Sequence, residues 1–311
     1  MKRTIYIGFV LTLLGLAGCI KDPMEDITDG SWNKERNILG ITFNGQVGEA
    51  DISRNGDVAT INFTYNTAAG SELSSIEINE LEISYGASAS VKAGETLDFS
   101  QGNSAVVSVT PANGEPLDWV ITLTPFTETI LGTWNIDGLY VYGGTGPEYG
   151  GAAVIRMADK SWCWPGDAGP ATEEDNTLTF TMDGITEEGN TYGTIVNDAG
   201  ADGTYADFMY VLSTPAVDVN HFYRTIPKGA GTWLRNYATG TVTFTFADGT
   251  TKTAVFDAPG VYDLGNGQAR TLSTNALTFS LSGVDDWGNI YNDFDKFVKR
   301  PRKYWIDISK Q

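Results

Sequence analysis

Short runs of alternating or clustered apolar residues dominate this chain, and they leave little room for helices. Ile41-Thr42-Phe43, Thr60-Ile61-Asn62-Phe63-Thr64-Tyr65 and Val106-Val107-Ser108-Val109 are such runs; a two-residue period is that of a pleated strand with one buried face. Asn55-Gly56-Asp57, Ala93-Gly94-Glu95 and Asn113-Gly114 separate them, supplying residues that tolerate turn conformations. Trp119-Val120-Ile121-Thr122-Leu123 closes this first set, and Pro125 ends it. A second set begins at Leu131-Gly132-Thr133-Trp134, with strand candidates at Leu139–Tyr142, Thr177–Met182, Phe208–Leu212, Thr241–Phe246, Thr251–Phe256, Leu277–Leu281 and Tyr304–Ile308. Phe246-Ala247-Asp248-Gly249-Thr250 is the clearest hairpin, with Asp-Gly between two alternating runs. No apolar period of 3.6 residues is sustained in this half. The expected fold class is all-β, with a β-sandwich over 38–126 and a second antiparallel β-domain, sandwich or barrel, over 127–311.

Two local patterns resemble known families. Asn113-Gly114 ahead of Asp118-Trp119-Val120-Ile121 resembles the final hairpin of the Ig-like modules near the N-terminus of many Bacteroidetes surface lipoproteins. The resemblance implies an Ig-like sandwich acting as a spacer. Gly132-Thr133-Trp134, repeated at Gly231-Thr232-Trp233, resembles the Gly-x-Trp that opens lipocalin-like barrels. In such a barrel the Trp closes the floor and a late basic residue packs on it, a role for which Arg300 or Arg302 would serve. The Gly-rich insert after Tyr142 departs from a compact lipocalin.

The start of the chain carries an address. Lys2 and Arg3 precede an apolar run from Ile5 to Leu16, then Leu16-Ala17-Gly18-Cys19. A basic start, an apolar stretch and small residues form a secretory signal, and the run is short for a permanent span of roughly 20 residues. Leu-Ala-Gly-Cys resembles the lipobox of bacterial lipoproteins. That resemblance implies removal of residues 1–18 and a lipid on Cys19, whereas an ordinary signal peptide or membrane anchor is the alternative. Residues 19–37 read as a polar, flexible tether. Lys21, Asp22, Glu25 and Asp26 resemble the export signal of Bacteroidetes surface lipoproteins, which implies an outer-membrane anchor facing the cell exterior.

Charge and cysteine content bound the partners. The 39 Asp and Glu against 20 Lys and Arg give a net charge of -19, which repels a phosphate backbone and excludes nucleic acid as the expected partner. With Cys19 lipidated, Cys163 has no intrachain partner, because the chain has only 2 cysteines. The expected fold therefore relies on a hydrophobic core rather than disulfides.

Candidate binding residues fall in two segments. Trp162 and Trp164 flank Cys163 at a spacing that would put both indoles on one face of a strand, with Asp167 close by. They follow the glycines 143, 144, 146, 150 and 151, in what reads as a long irregular loop, the kind of segment where binding residues concentrate. Burial of the indoles in the core is the alternative. The second segment runs from Asp285 to Asp295 and holds Trp287 and Tyr291. Its Asp285, Asp286, Asn289 and Asp293 are calcium candidates, since hard cations want several oxygen ligands, although the spacing fails an EF-hand. A solvated acidic turn is the other reading. Asn197 to Gly203 is a weaker calcium candidate, and calcium is the one cofactor considered. Lys296, Lys299, Arg300, Arg302 and Lys303 form a basic island suited to an acidic polysaccharide or anionic lipid, or to offsetting the acidic body.

Catalytic signals are sparse. His221 is the single histidine, and no Gly-x-Ser-x-Gly elbow accompanies it. The expectation is a non-enzyme, a surface lipoprotein whose second domain binds a poly- or oligosaccharide. It is similar in layout to accessory surface glycan-binding lipoproteins of Bacteroidetes. The alternatives are an adhesion or assembly protein that binds a surface protein partner, and a lipocalin-like carrier of an apolar ligand.

Overall fold

The computed structural model describes residues 32–66 and 72–311. The segment 1–18 read as a secretory signal, Cys19 and most of the stretch read as a tether lie outside the described residues. The described chain is all-β and divides into two compact units. One holds the residues up to Gln46 and Ala50–Pro125, and the other holds Val47–Glu49 and Phe126–Gln311.

The first unit is a two-sheet sandwich. Strands β1 (Ile38–Phe43), β4 (Ile76–Ile83) and β6 (Thr96–Leu97) form one sheet, in the order β1-β4-β6. The other sheet has the order β2-β3-β8-β7-β5, built from β2 (Gln46–Asn55), β3 (Val58–Tyr65), β5 (Ser88–Ala89), β7 (Ser104–Thr110) and β8 (Leu117–Pro125). Alternate residues Ala59, Ile61, Phe63 and Tyr65 of β3 point inward, as do Leu117, Trp119, Ile121 and Leu123 of β8, the two-residue period read from the sequence. Phe43 stacks on Phe63 at 4.2 Å, and Phe99 meets both rings edge-on. The hairpin after Asn113-Gly114 forms as expected, β7 against β8. One pair departs from the antiparallel rule: β3 and β8 run parallel.

The second unit settles the choice between sandwich and barrel. Its main strands are β9 (Gly132–Gly143), β11 (Thr177–Ile185), β12 (Thr191–Asp198), β15 (Gly229–Asn236), β16 (Thr241–Thr245), β17 (Thr251–Asp257), β20 (Asn275–Ser280) and β21 (Pro301–Lys310). They follow one another around an eight-stranded antiparallel barrel, which closes where β21 pairs with β9. Closure gives the first and last strands of the wall each other as partners. Strand β10 (Ala153–Arg156) adds to the late half of β9, and β13 (Met209–Tyr210) pairs with β14 (Val217–Asp218). A separate hairpin, β18 (Gly260–Gly265) and β19 (Gln268–Leu272), packs with Tyr140, Tyr142 and Trp305 in a satellite cluster. There Arg270 lies over the rings of Tyr140 (4.1 Å) and Trp305 (4.5 Å) and gives both oxygens of Asp307 a hydrogen bond. Burial pushes the Arg270 guanidinium down and the Asp307 carboxyl up, each opposed by the attraction of the other.

Side chains fill the barrel. Phe180, Trp233, Phe244, Phe279 and Tyr304 form a continuous chain of ring contacts at 6.0 to 6.3 Å, so the interior is a packed core. Trp134 donates its indole N–H to Ile130 O and carries Lys310 Nζ over its ring at 5.4 Å. The basic residue on the opening Trp is therefore Lys310, not Arg300 or Arg302. Register explains the correction: Lys310 pairs opposite Trp134, and Arg302 sits eight residues earlier, roughly 25 Å away along the strand. At the other end, where β9 finishes and β21 begins, Trp164 meets the rings of Phe208, Tyr210, Tyr223 and Phe297 at 5.2 to 6.5 Å.

A buried carboxylate organises the entry to the barrel. Glu128 accepts hydrogen bonds from Thr191 Oγ1, Tyr237 OH and the Ile130 N–H, and pairs with Arg235. Burial alone would raise its pKa, yet these partners together hold it below its ordinary value of 4.5. A depressed folded-state pKa means stability that is complete above the unfolded value and lost as pH falls through the folded one. Glu128→Gln should cost about 3 kcal/mol at neutral pH. In urea titrations across the acid range, that deficit should shrink as pH drops below 4.5.

Candidate functional site

The two segments singled out in the sequence meet only in part. Strand β10 ends at Arg156, and two 3₁₀ turns meeting at Lys160 then cover Met157–Cys163. Outside a strand, residues two apart do not share a face, so the indoles diverge. Trp162 is 56% exposed and Trp164 is 3% exposed. The expected Trp162–Trp164 platform is thereby corrected: Trp164 belongs to the core, and Asp167 lies exposed in the turn that follows it. Cys163 between them is fully buried, and burial pushes its thiol up to about 11.

A different aromatic group forms at the surface. Tyr149 closes a 3₁₀ turn over Pro147–Tyr149 and meets Trp287 at 6.1 Å between ring centroids, the planes at 62°. Tyr291 reaches back to donate to Tyr149 O at 3.5 Å. The three rings are 66%, 58% and 68% exposed. Trp287 and Tyr291 had a sequence signal, being aromatics among Asp, Asn and Gly. Tyr149 was missed, although its setting in Pro147-Glu148-Tyr149-Gly150 marks an aromatic on a tight turn.

The backing of these rings is rigid. Asp295 and Thr145 are both fully buried. The Asp295 carboxylate accepts from Thr145 N at 2.6 Å and from Thr145 Oγ1 at 2.8 Å. The same hydroxyl accepts from Asp286 N at 2.7 Å, so one buried pair fixes both ring-bearing segments. Gly143, Gly144 and Gly151 of the first segment serve close packing. A Cβ on Gly143 would lie 2.1 Å from Lys296 O, and one on Gly151 would lie 1.9 Å from Thr145 O.

The calcium candidates are not gathered around one point. Asp285 pairs with Arg300 at 2.8 Å and Arg302 at 3.5 Å, and Asp293 pairs with Lys160 at 3.0 Å. Asp286 accepts from Asn289, whose own side-chain oxygen accepts from Asn292. Among the described residues, no three His, Cys, Asp or Glu side chains cluster as a metal site. In the second candidate stretch, Asp198 and Asp202 accept from backbone N–H groups of their own turns. The basic island likewise turns to the protein: Arg300 donates to Gly283 O, Arg302 to Gly144 O and Lys296 to Asn292 O.

No family model matches the chain, and no curated protein matches it. Among solved structures, a Bacteroides fragilis protein provisionally described as secreted is 20% identical over 30% of this chain and 98% of its own, with a TM-score of 0.23. A Bacteroides thetaiotaomicron protein provisionally described as a glycoside hydrolase is 13% identical over 90% of this chain and 84% of its own, with a TM-score of 0.26. Likenesses this distant transfer no activity. The expectation of a non-enzyme is nonetheless withdrawn, because a neighbour is described as a hydrolase and no observation speaks positively for a chain without catalysis. Among the described residues, no helix is long and apolar enough to cross a membrane.

Asp295→Asn keeps the shape of the side chain but leaves one acceptor oxygen for the two Thr145 donors, with an amide N–H facing the other. It should lower stability by about 1–3 kcal/mol, read from the midpoint of urea unfolding, with Asp167→Asn as an unaffected surface control.

Proposed function

We propose that this protein works at the bacterial cell surface, held by a lipid on Cys19, and that it binds glycan through Tyr149, Trp287 and Tyr291. The observation that carries the reading is a group of three rings, each more than half exposed, fixed on a fully buried Asp295–Thr145 pair. A pair of large exposed aromatics in ring contact, with a third tied to the same turn, suits an interaction surface. Ring faces suit the apolar faces of sugars, and the Asp286, Asn289 and Asn292 side chains on the segment that carries Trp287 and Tyr291 suit sugar hydroxyls. The secretory start, the lipobox-like Leu16-Ala17-Gly18-Cys19 and the polar stretch behind it support the location.

Two measurements test the parts separately. Cys19→Ser should abolish incorporation of labelled fatty acid and release the protein from the membrane fraction. The full chain, purified in detergent, should be retarded in native gels containing neutral polysaccharides such as xyloglucan, β-glucan, starch or galactomannan. Trp287→Ala combined with Tyr149→Ala should remove that retardation without moving the melting temperature. Reducing-sugar release in the same samples reads any cleavage. Retardation by none of a broad glycan panel would refute the binding reading.

A further inference from the structure

Trp162 stands outside the three-ring group, yet it is tied to it. Lys160 Nζ lies over the Trp162 ring, 5.2 Å from its centroid, and 3.0 Å from Asp293 Oδ2. Asp293 is two residues beyond Tyr291, on the segment that carries Trp287. The Lys160 and Asp293 side chains are 29% and 23% exposed, so the ion pair is partly shielded from solvent and holds its geometry better than a surface pair. With the ammonium over the ring, and more than half of Trp162 exposed, the indole keeps contact area for a ligand. We infer that Trp162 is a second contact point of the same site, held in register with the first by Lys160–Asp293, and that the site takes an internal stretch of an extended glycan chain. This rests on the glycan reading given above. Rings more than half exposed form an open track rather than a pocket closing around one terminal sugar. A short ligand covers the Tyr149–Trp287–Tyr291 group alone, and only a longer one reaches Trp162.

The test uses the detergent-purified full chain and oligosaccharides of two to eight sugar units, cut from whichever polysaccharide retards it, with affinities measured by calorimetry. Wild-type affinity should climb with length and then level off. Trp162→Ala should weaken the octasaccharide about tenfold and leave the disaccharide unchanged, the loss expected when one aromatic contact is truncated. Trp287→Ala should weaken both. Lys160→Met should act on the long ligand only, because it frees Trp162 from the Asp293 segment without touching the first group. Affinity independent of length, or a Trp162→Ala variant that binds long and short ligands as wild type does, overturns the two-part site while leaving the glycan reading intact. Failure of every polysaccharide to bind the wild type removes both.

Discussion

Asp295 holds a carboxylate where solvent does not reach, and much of the surface chemistry depends on that one side chain. A buried carboxylate without hydrogen-bond partners would cost several kcal/mol. Here Thr145 supplies two donors, and its hydroxyl passes the constraint on to the Asp286 backbone. The Asp295 carbonyl accepts from Arg300 N at 2.7 Å, so the same residue also sets the approach to the last strand. Three stretches of chain, around residues 145, 286 and 300, are therefore tied to one residue. Exposed rings gain their value from this: a ring held in place loses little further freedom when a ligand arrives.

The sequence disclosed the local elements better than their assembly. Period-two alternation marked the strands on either side of Asp248-Gly249, and the structure forms them as β16 and β17. The first unit is also the two-sheet sandwich that its turn spacing suggested. Barrel closure was out of reach, because it depends on pairing the first strand of the unit with its last, and nothing in either segment names the other. The Gly-Thr-Trp triplet pointed toward a barrel but misled on its partner, since Lys310 faces Trp134 through register rather than through charge pattern.

The aromatic residues show the same division. Trp162 and Trp164 have the same composition around them, and alternation would have placed them together. What separates them is the 3₁₀ path through Cys163, together with the ring-lined space that Phe208, Tyr210, Tyr223 and Phe297 leave for a single indole. That space is made by residues distant in sequence, so no local pattern could report it. The acidic run 285–295 was ambiguous for a related reason. Its carboxylates read as metal ligands or as a solvated acidic turn, and the fold brings Arg300, Arg302 and Lys160 to Asp285 and Asp293.

The burial of Cys163 has a consequence for its redox chemistry. An accessible unpaired thiol in an oxidising setting invites sulfenic acid or a crosslink to a neighbour. This sulfur is enclosed beneath the Trp164 cluster, and its thiol, pushed up to about 11, stays protonated at neutral pH, so it is a poor nucleophile. Reaction would begin only when that end of the barrel opens. The Cys163 thiol thus works as an internal tell-tale: its rate of alkylation records how often the barrel end comes apart.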